Sequence, residues 1–286
     1  MRVEDSTQPK PSSESSFTRT LRYIAPNAVT GASVVFAVLA LQAVSRGEFV
    51  WAAWWSLYST LTDKLDGVVA RLLKASSPLG VQLDSLADLL NYGMVPATLT
   101  YAFFTQRPQF GWATGGMNVL LKVLCAFYVL CTTLRLARFN VSTANPKHFF
   151  GVPSTMAGAL VMAYFITLGK YGDPAWTAPE TYAPWRMMGH VRLDALMPYF
   201  PWTMLVFGYL MVCALRVPKV GHAGSRWLDR YVVGNLLIGY TFGILHLFPE
   251  YIVFGGVQYL LIAAYLHFFA TPPEARERPE PLFPTS

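Results

Sequence analysis

Eight apolar stretches, each long enough to cross about 30 Å of hydrocarbon, leave this chain few folds to choose from. They fall near 24–44, 49–73, 81–105, 117–138, 152–170, 197–216, 232–248 and 251–270. A lipid core offers no water to a backbone amide, so each stretch must close its own hydrogen bonds as an α-helix. Composition agrees: 53% of the 286 residues are hydrophobic and 13% are charged, against about 25% charged in a soluble domain. The sequence therefore predicts an all-α integral membrane protein of about eight transmembrane helices. The last two meet around Pro249-Glu250 and read as a hairpin. Residues 1–22 read as a disordered cytoplasmic tail, 171–195 as a loop rich in Pro, Trp and Tyr, and 271–286 as a polar tail.

The distribution of Lys and Arg sets the orientation. With both termini cytoplasmic, sixteen fall on the inner side and five (Arg46, Arg107, Lys170, Arg186, Arg192) on the outer side, while Lys122 sits inside a span. That asymmetry satisfies the positive-inside rule, and it implies a multi-pass protein of the cell membrane. Every tryptophan except Trp227 then falls near the outer interface, as an aromatic belt would. The net charge of +6 carries no basic stripe or motif, so nucleic acid is excluded as a partner. Cys125, Cys131 and Cys213 lie in apolar stretches without ligand spacing and read as buried small hydrophobes. His190, His222, His246 and His267 are scattered and read as structural, and Gly239-x3-Gly243 as ordinary helix packing.

Against this apolar background, one segment concentrates charge. It reads Asp63-x2-Asp66-Gly67-x2-Ala70-Arg71, then eight residues, then Gly80-x3-Asp84-x3-Asp88. At roughly 100° per residue, Asp63, Asp66, Gly67, Ala70 and Arg71 share one helix face, and Gly80, Asp84 and Asp88 form a second stripe. Four carboxylates so close in a low dielectric repel unless cations neutralise them. Hard oxygen ligands in this number suit Mg²⁺ or Mn²⁺, which are commonly shared between carboxylates and substrate phosphates. The small residues keep both faces bare for a flat base or a diphosphate, and Arg71 adds a fixed cation. The bland reading is that the aspartates cap helix ends or pair with Lys64, Arg71 and Lys74. A cation transporter is the reading from another class, but it calls for acids spread through the membrane depth or for inverted repeats. On the spans above, the four carboxylates lie together at the cytoplasmic side.

This string resembles, at each defining position, the signature of the CDP-alcohol phosphotransferases, and Pro26-Asn27-x2-Thr30 is similar to that family's opening element. The resemblance covers about 30–216. It implies a six-helix catalytic domain over 23–216 with the signature at 63–88, leaving 217–270 as an added C-terminal helix pair. It also implies two divalent ions held by Asp63, Asp66, Asp84 and Asp88, with Asp88 deprotonating the acceptor alcohol. Asn27, Thr30, Gly67, Ala70, Arg71 and Gly80 would shape the CDP pocket, and the protein would be a homodimer.

Two further elements, Arg135-Leu136-Ala137-Arg138-Phe139-Asn140 and Gly151-Val152-Pro153-Ser154-Thr155, resemble the phosphatidylserine synthase branch of that family. The implied reaction joins CDP-diacylglycerol and L-serine to give phosphatidylserine and CMP, with Arg135, Arg138 and Asn140 as acceptor-binding residues. A guanidinium there suits the serine carboxylate, although arginines at cytoplasmic helix ends also serve as anchors. Gly151 and Pro153 equally suit a helix start, with Ser154 and Thr155 capping. Asn91-Tyr92-Gly93 departs from the branch, which carries Ser-Phe-Gly there. Choline, glycerol 3-phosphate or an inositol phosphate remain alternative acceptors; choline would call for an aromatic cage, and Tyr92 keeps that option open.

Overall fold

The computed structural model describes residues 16–73, 78–141, 148–172, 194–219 and 225–270, with side chains for all of these except 16–26, 64–73, 78, 148, 194 and 270. Each of the eight apolar stretches is mostly helical within them. Helix α1 (Ser16–Ser45) and α2 (Phe49–Leu73) form a tight antiparallel pair. Gly47 ends α1 by entering the left-handed region (φ 76°), and the Glu48 amide donates back to the Ala43 carbonyl (2.9 Å). Helix α1 begins at Ser16, inside the segment read as tail, because nothing in Phe17–Ile24 breaks a helix before the apolar run.

The third stretch is one rod made in three pieces: α3 (Pro78–Asp88), a π-helical turn (Leu89–Met94) and α4 (Val95–Thr105). Pro96 has no amide hydrogen and cannot continue the i→i−4 ladder, so the wider turn just before it absorbs the defect. Asn91, Tyr92 and Gly93 in that turn are all buried. Helix α5 (Gly115–Val141), α6 (Ser154–Gly172) and α7 (Trp202–Val212) complete the core bundle. Beyond it, α8 (Arg226–Ile244) starts at Ser225, whose hydroxyl accepts from the Leu228 amide (3.1 Å). Helix α9 (Pro249–Tyr265) follows a short turn, as the hairpin reading expects. Among the described residues, Asn27–Ser45, Gly115–Val141 and Pro249–Phe269 are long and apolar enough to cross a membrane, and Trp202–Val212 is a shorter apolar helix.

Two features depart from the sequence reading. A short antiparallel ribbon pairs β1 (His148–Phe150) with β2 (Arg216–Pro218), in register Phe149 to Val217. It forms because Gly151 turns the chain at φ 74° and donates its amide to the Leu215 carbonyl (2.8 Å). The tryptophans also do more than form a belt. Trp51 and Trp202 are exposed, but Trp54 and Trp112 are buried in the core. Trp54 packs against Tyr58 in a tilted ring pair, and Trp112 donates its indole N–H to the Pro198 carbonyl (2.7 Å), so packing takes them from the lipid surface. Cys125 and Cys131 are buried thiols, as expected, and the loop 173–193 lies outside the described residues.

Lys170 at the end of α6 is 2% exposed and meets Glu250 at the start of α9 at 3.0 Å. Removing one partner strands the other charge in an apolar setting. Lys170→Ala should therefore cost about 3 kcal/mol, while Lys170→Met combined with Glu250→Met recovers most of it, as thermal melts in detergent would report. A Cβ at Gly151 would overlap the Met211 carbonyl and force an unfavourable φ. Gly151→Ala should lower stability by about 2 kcal/mol in the same assay.

Candidate active site

Asp63 comes from α2, and Asp84 and Asp88 come one helical turn apart on α3. The pairing of α1 with α2, and the packing of α3 on α1, bring these carboxylates together. One oxygen from each lies within 4.8 Å of the others, and all three are partly buried. Asp66, Gly67, Ala70 and Arg71 lie on the same helix as Asp63, but their side chains lie outside the described residues.

Like charges at this distance need orienting partners. Ser154, the first residue of α6, donates its hydroxyl to Asp88 Oδ2 (3.3 Å). Arg135 on α5 donates from Nη1 to that same hydroxyl (3.3 Å) and from Nε to the Val152 carbonyl (2.7 Å). The guanidinium also attracts the Asp88 charge. Ser154 therefore does not cap its helix. The Pro153 carbonyl accepts from Ala157 at the helix start, which leaves the serine hydroxyl for the carboxylate. This role was masked in the sequence by the equally good capping reading.

Arg138 and Asn140 are committed elsewhere. Arg138 donates to the carbonyls of Phe150 (3.0 Å) and Val212 (3.3 Å), and Asn140 donates to Ser85 Oγ (2.8 Å). Neither lines the cavity beside the carboxylates, whereas Arg135 does. Behind the carboxylates lies a buried polar layer. The Asn91 amide donates to the Ser33 carbonyl (3.0 Å), the Ser56 hydroxyl donates to the Asn91 carbonyl (3.2 Å), and the Ser33 and Ser59 hydroxyls are bonded (3.0 Å). Asn91 thus fastens the π-helical turn to α1 and α2. Tyr92 is fully buried against Gly158 and does not line the cavity, which removes it as part of an acceptor cage.

The cavity has a volume of ≈ 670 Å³. Its polar end carries Asn27, Thr30, Asp63, Gly80, Asp84 and Asp88. Residues of α8 and α9 also line the cavity, a contribution with no counterpart in the sequence reading. Oxygen donors from two helices converging on one point, with room beside them, fit a divalent cation. Three hard carboxylate ligands match Mg²⁺ or Mn²⁺ better than a softer metal.

Fold and site together define a helical, multi-pass membrane protein with a carboxylate centre on the wall of a large cavity. The chain belongs to the CDP-alcohol phosphatidyltransferase family, whose profile matches residues 23–215. Enzymes of that family generally depend on divalent metal, consistent with the aspartate cluster. Curated relatives include the CDP-diacylglycerol–serine O-phosphatidyltransferase of Helicobacter pylori, 34% identical over 151 residues. That match covers 52% of this chain and 60% of the relative. The enzyme of the same name from Saccharomyces cerevisiae is 34% identical over 171 residues, covering 55% of this chain and 54% of the relative. A third, from Bacillus subtilis, is 29% identical over 148 residues, covering 51% and 77%. The chain thus spans little more than half the length of the first two.

Arg135 is 6% exposed and holds both the Val152 turn and Ser154. Lysine cannot reproduce this fork. Arg135→Lys should lower stability by about 2 kcal/mol as well as activity, whereas a residue that only touched substrate would leave the melting temperature unchanged.

Proposed function

We propose that this protein transfers the phosphatidyl group of CDP-diacylglycerol to the hydroxyl of L-serine, giving phosphatidylserine and CMP. The observation that carries this reading is the meeting of Asp63, Asp84 and Asp88 at the polar end of a cavity that is otherwise largely apolar. A donor with a charged nucleotide head and two hydrocarbon chains has that same polarity profile. The names of the Helicobacter, Saccharomyces and Bacillus relatives support serine as the acceptor.

In this reading Asp63, Asp66, Asp84 and Asp88 would hold two Mg²⁺ or Mn²⁺ ions. When bound, such ions draw charge from a leaving phosphate and acidify a nearby hydroxyl. Asn27, Thr30 and Gly80 at the polar end, with Gly67, Ala70 and Arg71 on α2, receive the CDP moiety. Asp88 accepts the proton of the serine hydroxyl, and Ser154 keeps its carboxylate oriented while it does so. The hydroxyl oxygen bonds to the lipid-linked phosphorus, the bond between the two phosphates breaks, and CMP departs. A carboxylate is a weak base, with an ordinary pKa near ~3.9, so the hydroxyl must be acidified for this transfer to be efficient. Arg135, the arginine on the cavity wall, meets the serine carboxylate. Arg138 and Asn140 act behind it by holding β1 and Ser85 in position.

The excess of Lys and Arg on one side supports a cell-membrane protein with this site facing the cytoplasm. Family resemblance supports a homodimer. Choline is less well supported as acceptor, since Tyr92 is buried away from the cavity.

Purified protein given CDP-diacylglycerol and serine should release CMP and form phosphatidylserine, and chelation with EDTA should abolish both. Asp88→Asn should reduce turnover by about 10²–10⁴-fold with little change in melting temperature. Phosphatidylcholine formation from choline, with no product from serine, would refute the acceptor assignment. Unimpaired turnover of Asp88→Asn would remove the proposed base.

A further inference from the structure

We propose that the α8–α9 hairpin, which lies beyond the residues matched to the family, forms a binding site for a hydrocarbon chain of the lipid-linked nucleotide donor. The inference builds on the reading of that donor as CDP-diacylglycerol. It adds that chain recognition is performed by a segment outside the catalytic domain.

The first support is periodicity. On α8, Val232, Leu236, Gly239, Tyr240 and Gly243 line the cavity, and on α9, Ile252, Gly255, Gly256, Tyr259 and Ile262 do so. Both sets recur at three- and four-residue intervals, so each helix turns one continuous stripe inward. The stripe from Tyr231 to Gly243 runs about 18 Å at roughly 1.5 Å per residue. That is close to the depth of one leaflet, half of about 30 Å. The opposite faces, with Leu237, Phe254 and Leu261, are exposed and apolar, as surfaces facing the bilayer would be.

The second support is what the inward stripe presents. Four of its polar groups pair across the hairpin: Tyr251 donates to Asn235 Oδ1 (2.6 Å) and Tyr231 donates to Gln258 Oε1 (2.7 Å). These bonds join the two helices and leave an apolar wall. The glycines divide into two kinds. At Gly256 a Cβ would overlap Leu160 of α6, so this glycine lets α9 dock on the core. At Gly239 and Gly255 a Cβ would meet nothing within 4 Å, so these two open space instead. The Gly239-x3-Gly243 pair, read from sequence as helix packing, thus borders the cavity.

The third support is that the space is held open. The turn end of the hairpin is fixed by Lys170–Glu250 and by the Tyr58 bond to His246. The other end is fixed by the Tyr259 hydroxyl on the Pro218 carbonyl and by the Arg216 amide on His267 Nδ1 (3.4 Å). Fastened at both ends, and docked on α6 at Gly256, the hairpin is held where it leaves the cavity open. An apolar gap within a membrane fills with hydrocarbon. Continuity with the carboxylates selects a chain whose headgroup lies at Asp63, Asp84 and Asp88.

The test uses the full chain in detergent with CDP-diacylglycerol carrying a diazirine near the end of one acyl chain. Photolysis should label peptides from 231–262, and unlabelled CDP-diacylglycerol should compete while an ordinary phospholipid does not. Label confined to other helices, or equal competition by the ordinary phospholipid, overturns the proposal. In a second arm, Gly239→Leu adds a side chain at a position where a Cβ meets no protein atom within 4 Å. The preference for long-chain over eight-carbon donors, read from kcat/KM, should fall about tenfold, the loss expected from displacing about two methylenes of contact. Gly234→Leu, off the cavity, should leave the preference unchanged; an unchanged ratio in Gly239→Leu counts against the site. Failure of the wild type to use serine would sink the acceptor reading alone, since photolabelling decides the chain site without turnover.

Discussion

Crowding carboxylates in an apolar bundle is the constraint around which this structure is organised. Three acids from two helices stand within 4.8 Å, where their mutual repulsion is far stronger than in water. The protein's own answer is a relay of orienting bonds from Val152 through Arg135 and Ser154 to Asp88. That relay recruits α5 and α6 to a site whose acids come from α2 and α3. Four helices therefore have to be in register before the centre exists. The buried layer of Ser33, Ser56, Ser59 and Asn91 serves the same end by fixing α1, α2 and the π-helical turn behind the acids.

The helices were legible in the sequence because a membrane reduces the question to length and apolarity. The signature acids were legible because their spacing matches helix periodicity, and Asp63, Asp84 and Asp88 converge as that periodicity requires. Other features lacked such a signal. The β1–β2 ribbon joins residues more than sixty positions apart, and neither three-residue strand shows alternation long enough to notice. Ser154 was ambiguous because a serine after a proline at a helix start is an equally good cap. Arg138 and Asn140 carried the right chemistry for a substrate, and only coordinates reveal that backbone carbonyls and Ser85 already use it.

The hairpin is the clearest case of information that sequence does not hold. Glycines in an apolar helix read alike whether they admit a neighbouring helix or leave a void. Gly256 does the first and Gly239 the second, and both sit in similar strings of apolar residues. What separates them is the position of Leu160 on another helix. The same holds for Trp54 and Trp112, whose place in the core rather than at the membrane edge depends on partners distant in the chain.

The turn at Leu89–Met94 has a consequence for how this molecule can change over time. A wider turn holds one residue more than the regular helix it replaces, so every side chain after it is rotated by roughly 100° relative to Asp84 and Asp88. Phe103 and Phe104, which lie beyond that offset, pack into the aromatic core. Insertions and deletions are therefore excluded between Asp88 and Val95 in a way that substitutions are not. Losing a single position would swing the whole distal half of the rod toward the bilayer while leaving the acids untouched. The segment works as a phase setting between the chemistry at one end of the rod and the packing at the other.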